Sequence, residues 1–215
     1  MTPVRVKICG ITNAGDAAAA VEAGADAVGF VLWERSPRFV ERSLLAALTA
    51  DLPAGVDRVG VFVDPSRAEV DDAAAMGIGV AQLCGSESPA FCAALPLPWY
   101  KVFRVEPGAS PPALIGSIKS YASDRFMLDA GDASRPGGTG ETIDWRAAAK
   151  VSIGAALGGA PRLILAGGLT PDNVAAAIGM VRPWGVDVSS GVETAPGRKD
   201  HARVRAFVQA VKGGA

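Results

Sequence analysis

Eight short β-type runs alternate with Ala-rich helical runs along the chain, and this alternation limits its folds more than any other feature. The runs lie near Val4–Cys9, Ala27–Leu32, Arg58–Val63, Gly79–Leu83, Tyr100–Arg104, Phe126–Asp129, Leu163–Ala166 and Gly185–Val188. A parallel neighbour requires a crossover, usually a helix, so repeated strand–helix units predict a parallel sheet. Eight units predict an α/β fold of the (β/α)8 TIM-barrel type, a single catalytic domain over residues 1–215. The chain is shorter than the ~250 residues typical of that fold but above its lower bound of about 200. A doubly wound open sheet is the alternative. The barrel is favoured because the repeats run on with no linker and no second domain. Three helices are clearest. The first is Ala14–Ala23, capped by Thr12 and closed at Gly24. Another opens at Thr170 as cap with Pro171 at its first position. The last runs from about Asp200 to Val211.

Composition excludes several function classes. The chain is 49% hydrophobic, enough for a substantial core. Its formal net charge of -1 argues against nucleic-acid and membrane-surface partners. No apolar run approaches the ~18 residues that suggest a membrane span, and no basic-then-apolar leader precedes the first strand. The three cysteines form no C-x-x-C pair, which fits reduced thiols in the cytoplasm without a disulfide framework or zinc site. With one histidine, His201, read as a surface residue, a multi-histidine metal centre is excluded.

In a barrel, strand ends and the loops after them converge on one mouth. The first strand delivers Cys9 there, and alternation puts Lys7 on the same face. A neighbouring ammonium favours the thiolate, the reactive form of the side chain. Arg35 and Arg38 lie in the loop after the second strand, with Arg35 read as solvated. Asp129 ends the sixth strand. Asp187, Ser189, Ser190 and Gly191 end the eighth. Two glycine-rich turns, Gly167–Gly168 and Ser189–Gly191, stand where barrels commonly bind phosphate, because glycine lets backbone N–H groups approach an anion. A further cluster, Gly137–Gly140, lies in the long loop after the sixth strand and suits a lid over substrate. These pieces suggest a phosphorylated small-molecule substrate, a thiol base or nucleophile, a carboxyl acid and an arginine for a second anion.

Seven segments then carry a resemblance to the phosphoribosylanthranilate isomerase family: Val6–Thr12 (VKICGIT), Gly24–Val31, Ser36–Val40, Val59–Val63, Gly137–Trp145, Leu165–Val174 and Val186–Glu193, followed by Pro196–Asp200. The resemblance implies an Amadori rearrangement of N-(5-phosphoribosyl)anthranilate to 1-(2-carboxyphenylamino)-1-deoxyribulose 5-phosphate in tryptophan biosynthesis. It implies Asp129 as general acid, Cys9 as general base and Arg38 on the anthranilate carboxylate. Gly167, Gly168, Ser189, Ser190 and Gly191 match the phosphate site, and Asp187 is grouped with these substrate-binding residues, its reading open between a supporting role and a structural one. No metal or organic cofactor is implied, and a monomer or homodimer is expected. Asp129 must then be protonated near neutrality, and partial burial or a nearby Asp187 would raise its pKa. One departure stands at Cys84, where the family usually has histidine. Two other functions stay open: another phosphosugar isomerase or epimerase, and a catalytically silent barrel that binds phosphorylated ligands.

Overall fold

The computed structural model describes residues 3–105, 110–130, 144–156 and 162–213. Eight parallel strands close into a barrel: β1 (Arg5–Cys9), β2 (Ala27–Val31), β3 (Asp57–Phe62), β4 (Val80–Leu83), β5 (Trp99–Val105), β6 (Arg125–Ala130), β7 (Arg162–Leu165) and β8 (Gly185–Val188). β1 pairs with β2 on one side and β8 on the other, so no edge is left open. Seven helices fill the crossovers: α1 (Ala14–Glu22), α2 (Arg42–Ala50), α3 (Arg67–Ala75), α4 (Pro89–Ala93), α5 (Pro111–Lys119), α6 (Trp145–Ala156) and α7 (Val174–Val181). A two-stranded antiparallel hairpin, β9 (Glu193–Ala195) and β10 (Arg198–Lys199), precedes α8 (His201–Lys212). All eight sequence-predicted strands are found, with ends shifted by no more than a residue or so.

Strand alternation separates two cores. Val6, Ile8, Val28, Phe30, Leu128, Leu165 and Val186 point outward and pack with the helices. Ala27, Val59, Tyr100, Val102, Met127 and Ile164 point inward and fill the barrel. The interior is thus packed up to the mouth, and the chemistry is confined to the carboxyl ends of the strands. At the opposite end, the Trp184 ring is flanked by the guanidinium groups of Arg5, Arg125 and Arg162, each 5.4 Å from its centroid.

Two helix starts differ from the sequence reading. Asn13, not Thr12, caps α1, its side chain accepting from Asp16 N. The Thr12 hydroxyl donates instead to Gly197 O at 2.5 Å, 185 positions away. α7 begins at Val174 rather than at Pro171. Asn173 explains the delay: its Oδ1 accepts from Thr170 N at 2.8 Å and its Nδ2 donates to Gly168 O at 2.9 Å. Residues 171–173 therefore form a turn tied back to the Gly167–Gly168 loop. The last helix starts where expected, with Asp200 accepting from Ala202 N and Arg203 N.

Candidate active site

A cavity at the carboxyl ends of the strands is lined by Cys9, Arg38, Asp129, Gly167, Gly168, Asp187, Ser189, Ser190 and Gly191. The fold thus brings these nine residues, all chosen from sequence, to one cavity. Arg35 is exposed outside this cavity. The Gly137–Gly140 lid lies outside the described residues.

Cys9 is buried at the end of β1, and Gly10 turns the backbone away with φ of 75°. Two residues earlier on the same face, the Lys7 ammonium donates to Asp187 Oδ1 at 2.8 Å. Both partners are buried, so this is an ion pair inside the barrel. Lys7 also stands beside the Cys9 side chain, where its positive charge favours the thiolate. β2 makes room for this cluster through Gly29. A methyl group there would lie 2.9 Å from Cys9 Sγ, 2.9 Å from Lys7 Cε and 3.0 Å from Lys7 Nζ. The thiol's pKa differs from the expectation that Lys7 lowers it. Burial dominates and pushes Cys9 up, Lys7 opposes this, and the Asp187 carboxylate adds to the rise. The thiol is therefore mostly protonated near neutrality, and its conjugate base is correspondingly strong.

Asp129 lies at the end of β6, nearly buried, with its pKa raised to about 7. Burial is the first cause and the negative charge of Asp187 the second, while Arg104 on β5 opposes them. Asp129 and Arg104 are register partners across β5 and β6. A carboxyl poised near neutrality can give up a proton in the reaction and regain one afterwards.

Arg38 enters the cavity from the loop after β2. Its Nε donates to Glu193 Oε1 at 2.9 Å and its Nη2 to Glu193 Oε2 at 2.7 Å. Lys199 donates to the same carboxylate, Nζ to Oε1 at 2.8 Å, with its side chain fully buried. Glu193 and Lys199 come from β9 and β10.

The two glycine turns meet across β7 and β8. Gly167 has φ of 87°, and a Cβ there would fall 2.3 Å from Ala130 N, so only glycine fits beside the end of β6. Gly191 opens similarly against Leu169 O. The Ser189 hydroxyl is buried in this wall with no protein partner among the described residues.

Cys84 lines the opposite wall. Its thiol accepts from Gln82 Nε2 at 3.5 Å, and burial pushes its pKa up to about 12. It stays neutral where a histidine could titrate. Beneath it, the buried Lys101 ammonium binds Glu87 Oε2 at 2.7 Å and Gly85 O at 2.5 Å. Glu87 in turn accepts from Asp64 N and Gly85 N, so this pair fixes the loops after β3 and β4. Cys92 is buried in α4 and also free. His201 is exposed and bonds Asp16 Oδ1 at 2.8 Å.

Sequence reasoning missed Gly29, Glu193 and Lys199. All three stand in segments quoted for the resemblance or beside them, but their roles depend on partners far along the chain. Glu193 and Lys199 could have been suspected as charged residues flanking the Ala195–Gly197 turn.

A closed eight-strand barrel with a thiol and a near-neutral carboxyl at one mouth is an enzyme of the acid–base barrel class. Residues 6–210 match the family model of N-(5′-phosphoribosyl)anthranilate isomerase, and the chain belongs to that family. A relative from Chromohalobacter salexigens bearing that name is 50% identical over 212 residues, covering 98% of this chain and 95% of its own. The crystal structure of phosphoribosyl anthranilate isomerase from Thermotoga maritima superposes with a TM-score of 0.86 at 36% identity, over 98% of this chain and 99% of that one. A structure of such an isomerase with reduced 1-(o-carboxyphenylamino)-1-deoxyribulose 5-phosphate superposes with a TM-score of 0.84 at 35% identity, over 98% and 99%.

Proposed function

We propose that this chain converts N-(5-phosphoribosyl)anthranilate to 1-(2-carboxyphenylamino)-1-deoxyribulose 5-phosphate by acid–base catalysis with Asp129 and Cys9. One observation carries the mechanism: the Cys9 thiol, beside the buried Lys7–Asp187 ion pair, and the Asp129 carboxyl line the same cavity. Asp129 donates its proton to the ribose ring oxygen as the C1′–O bond breaks, leaving a protonated Schiff base. The Cys9 thiolate then removes the C2′ proton, and the electron pair forms the C1′=C2′ bond of an enolamine. C1′ gains a proton and the 2′-hydroxyl loses one, giving the ketone. Proton exchange resets the pair. The electrons stay within the substrate, so the balanced reaction needs no redox partner.

The remaining groups bind. Arg38 takes the aryl carboxylate, and the Gly167–Gly168 and Ser189–Gly191 turns take the phosphate. Asp187 holds Lys7 against the base and keeps Asp129 protonated. All these residues come from one chain, which supports a catalytically complete barrel acting as a monomer or homodimer. Among the described residues, no helix is long and apolar enough to cross a membrane, consistent with the proposed cytoplasmic setting.

The test is a fluorescence assay. Phosphoribosylanthranilate is generated in situ from anthranilate and phosphoribosyl pyrophosphate by a phosphoribosyltransferase, and its decay is followed with and without this protein. Acceleration over spontaneous hydrolysis, with the aminoketose as product, is expected. Cys9→Ala and Asp129→Asn should each lose at least ~10² in kcat while staying folded. A folded protein that gives no acceleration refutes the assignment, and equal activity in wild type and both variants refutes the mechanism.

A further inference from the structure

Arg38 reaches the cavity already committed to a carboxylate of the protein itself. Nε and one Nη2 proton face Glu193. Nη1 has no partner among the described residues, so the other edge of the guanidinium keeps its donors. An arginine presents five N–H donors in a planar fork, and a carboxylate takes two parallel ones. Glu193 thus uses one edge and leaves the terminal edge for a second anion.

The carboxylate that fixes Arg38 is itself fixed. Lys199 and Gly197 N both contact Glu193 Oε1, at 2.8 and 3.3 Å. The hairpin carrying them is stitched to the start of α1: Gly197 O accepts from Thr12, and Lys199 N donates to Asp16 Oδ2 at 2.8 Å. Lys199 also reaches Ser189 O at 3.3 Å, beside the second glycine turn. The side chains of Arg38, Glu193 and Lys199 are 11%, 4% and 0% exposed. Two cations and one carboxylate leave one unit of positive charge, matching one incoming carboxylate. Burial favours neutral Glu193, but Arg38 and Lys199 outweigh it and hold the carboxyl below its ordinary range.

We infer that Glu193, braced by Lys199 on the β9–β10 hairpin, is the positioning residue that orients Arg38 for the substrate's aryl carboxylate. It thereby sets the preference for a carboxylate-bearing aminoaldose. A long arginine left to itself would lose rotamer freedom on each binding event; here that cost is met when the protein folds. Without Glu193, Arg38 would also face the Lys199 ammonium with no anion between them.

The inference rests on Arg38 taking that carboxylate, and the experiment separates the two. Wild type, Arg38→Ala, Glu193→Gln and the double variant are assayed on two substrates. One is phosphoribosylanthranilate. The other is N-(5-phosphoribosyl)aniline, from aniline and ribose 5-phosphate, which lacks only the carboxylate. With the first, Glu193→Gln is expected to raise KM about 10–100-fold while kcat changes little. With the second, Glu193→Gln and wild type should agree within about threefold. The double variant should be no worse than Arg38→Ala, because the two residues act as one unit. Equal losses on both substrates for Glu193→Gln, with Arg38→Ala still selective, would make Glu193 structural only and overturn the inference while sparing the role of Arg38. Equal losses on both substrates for Arg38→Ala would overturn that role and the inference together. If Glu193→Gln does not fold, Glu193→Asp carries the same comparison, since it keeps the charge but draws it back by one methylene.

Discussion

Gly29→Ala is the sharpest probe of how the base is housed. The added methyl would sit 2.9–3.0 Å from Cys9 Sγ and from the end of Lys7. Comfortable carbon contacts lie at about 3.5–4.0 Å, so ~0.5–1 Å must be found. Neither neighbour yields freely: Lys7 is held by Asp187 at 2.8 Å, and β1 is paired on both sides. Overpacking of this kind costs ~1–3 kcal/mol. For a chain of this size each kcal/mol lowers Tm by about 2–4 °C, so a fall of ~2–12 °C is expected. A comparable displacement of the thiol from C2′ should reduce kcat/KM by up to ~10²-fold. The assay pairs thermal unfolding with steady-state kinetics at a temperature where circular dichroism shows the variant folded. The same substitution is repeated in Cys9→Ala, where the Sγ contact is gone and the Tm penalty should shrink by the equivalent of at least ~0.5 kcal/mol. An unchanged Tm with kcat/KM within about twofold of wild type would refute this account of the pocket, as would an equal penalty in both backgrounds.

The pH profile, Cys84 and the buried Lys101–Glu87 pair give three further predictions. The productive form has Asp129 protonated and Cys9 deprotonated. With Asp129 at about 7 and Cys9 raised above the ordinary thiol range, that form is a small minority of the enzyme. kcat/KM should rise tenfold per pH unit up to about 7, stay level to the thiol's raised value and then fall; a profile flat from about pH 5 upward would contradict the raised acid. Cys84→Ser should leave this profile in place, because a thiol at about 12 contributes no limb below that value. Lys101→Met should cost ~3–5 kcal/mol by leaving the Glu87 carboxylate buried without its cation, seen as a Tm lower by ~6–20 °C; a fall below about 3 °C would count against the pair as a loop anchor.

Much of this architecture was legible because its signals are local. Each strand is a short apolar run bounded by turn residues, and alternation alone put Lys7 and Cys9 on one face. Barrel geometry then brought Asp129, Asp187 and the glycine turns to the same mouth. What escaped was relational. Lys7 meets Asp187 across 180 positions, and Arg38 meets Glu193 across 155. No local pattern announces such a meeting. The burial that raises Cys9 against the pull of Lys7 is likewise a property of the closed barrel, invisible in β1 alone. Thr12 and Thr170 were misread for the same reason: a hydroxyl or turn that suits a cap locally was recruited by Gly197 or superseded by Asn173.

Closing the barrel joins the first strand to the last, and this gives the chain's birth a consequence for its chemistry. On the ribosome, at roughly 5–20 residues per second, Cys9 and Lys7 emerge several seconds or more before Asp187, Ser189 and Lys199. Until β8 slots in beside β1, the base has no aligned ammonium and Arg38 no brace. A chain that still lacks β8 therefore has no working mouth. Turnover becomes a report on completion: only a protein whose two ends have met can process its substrate.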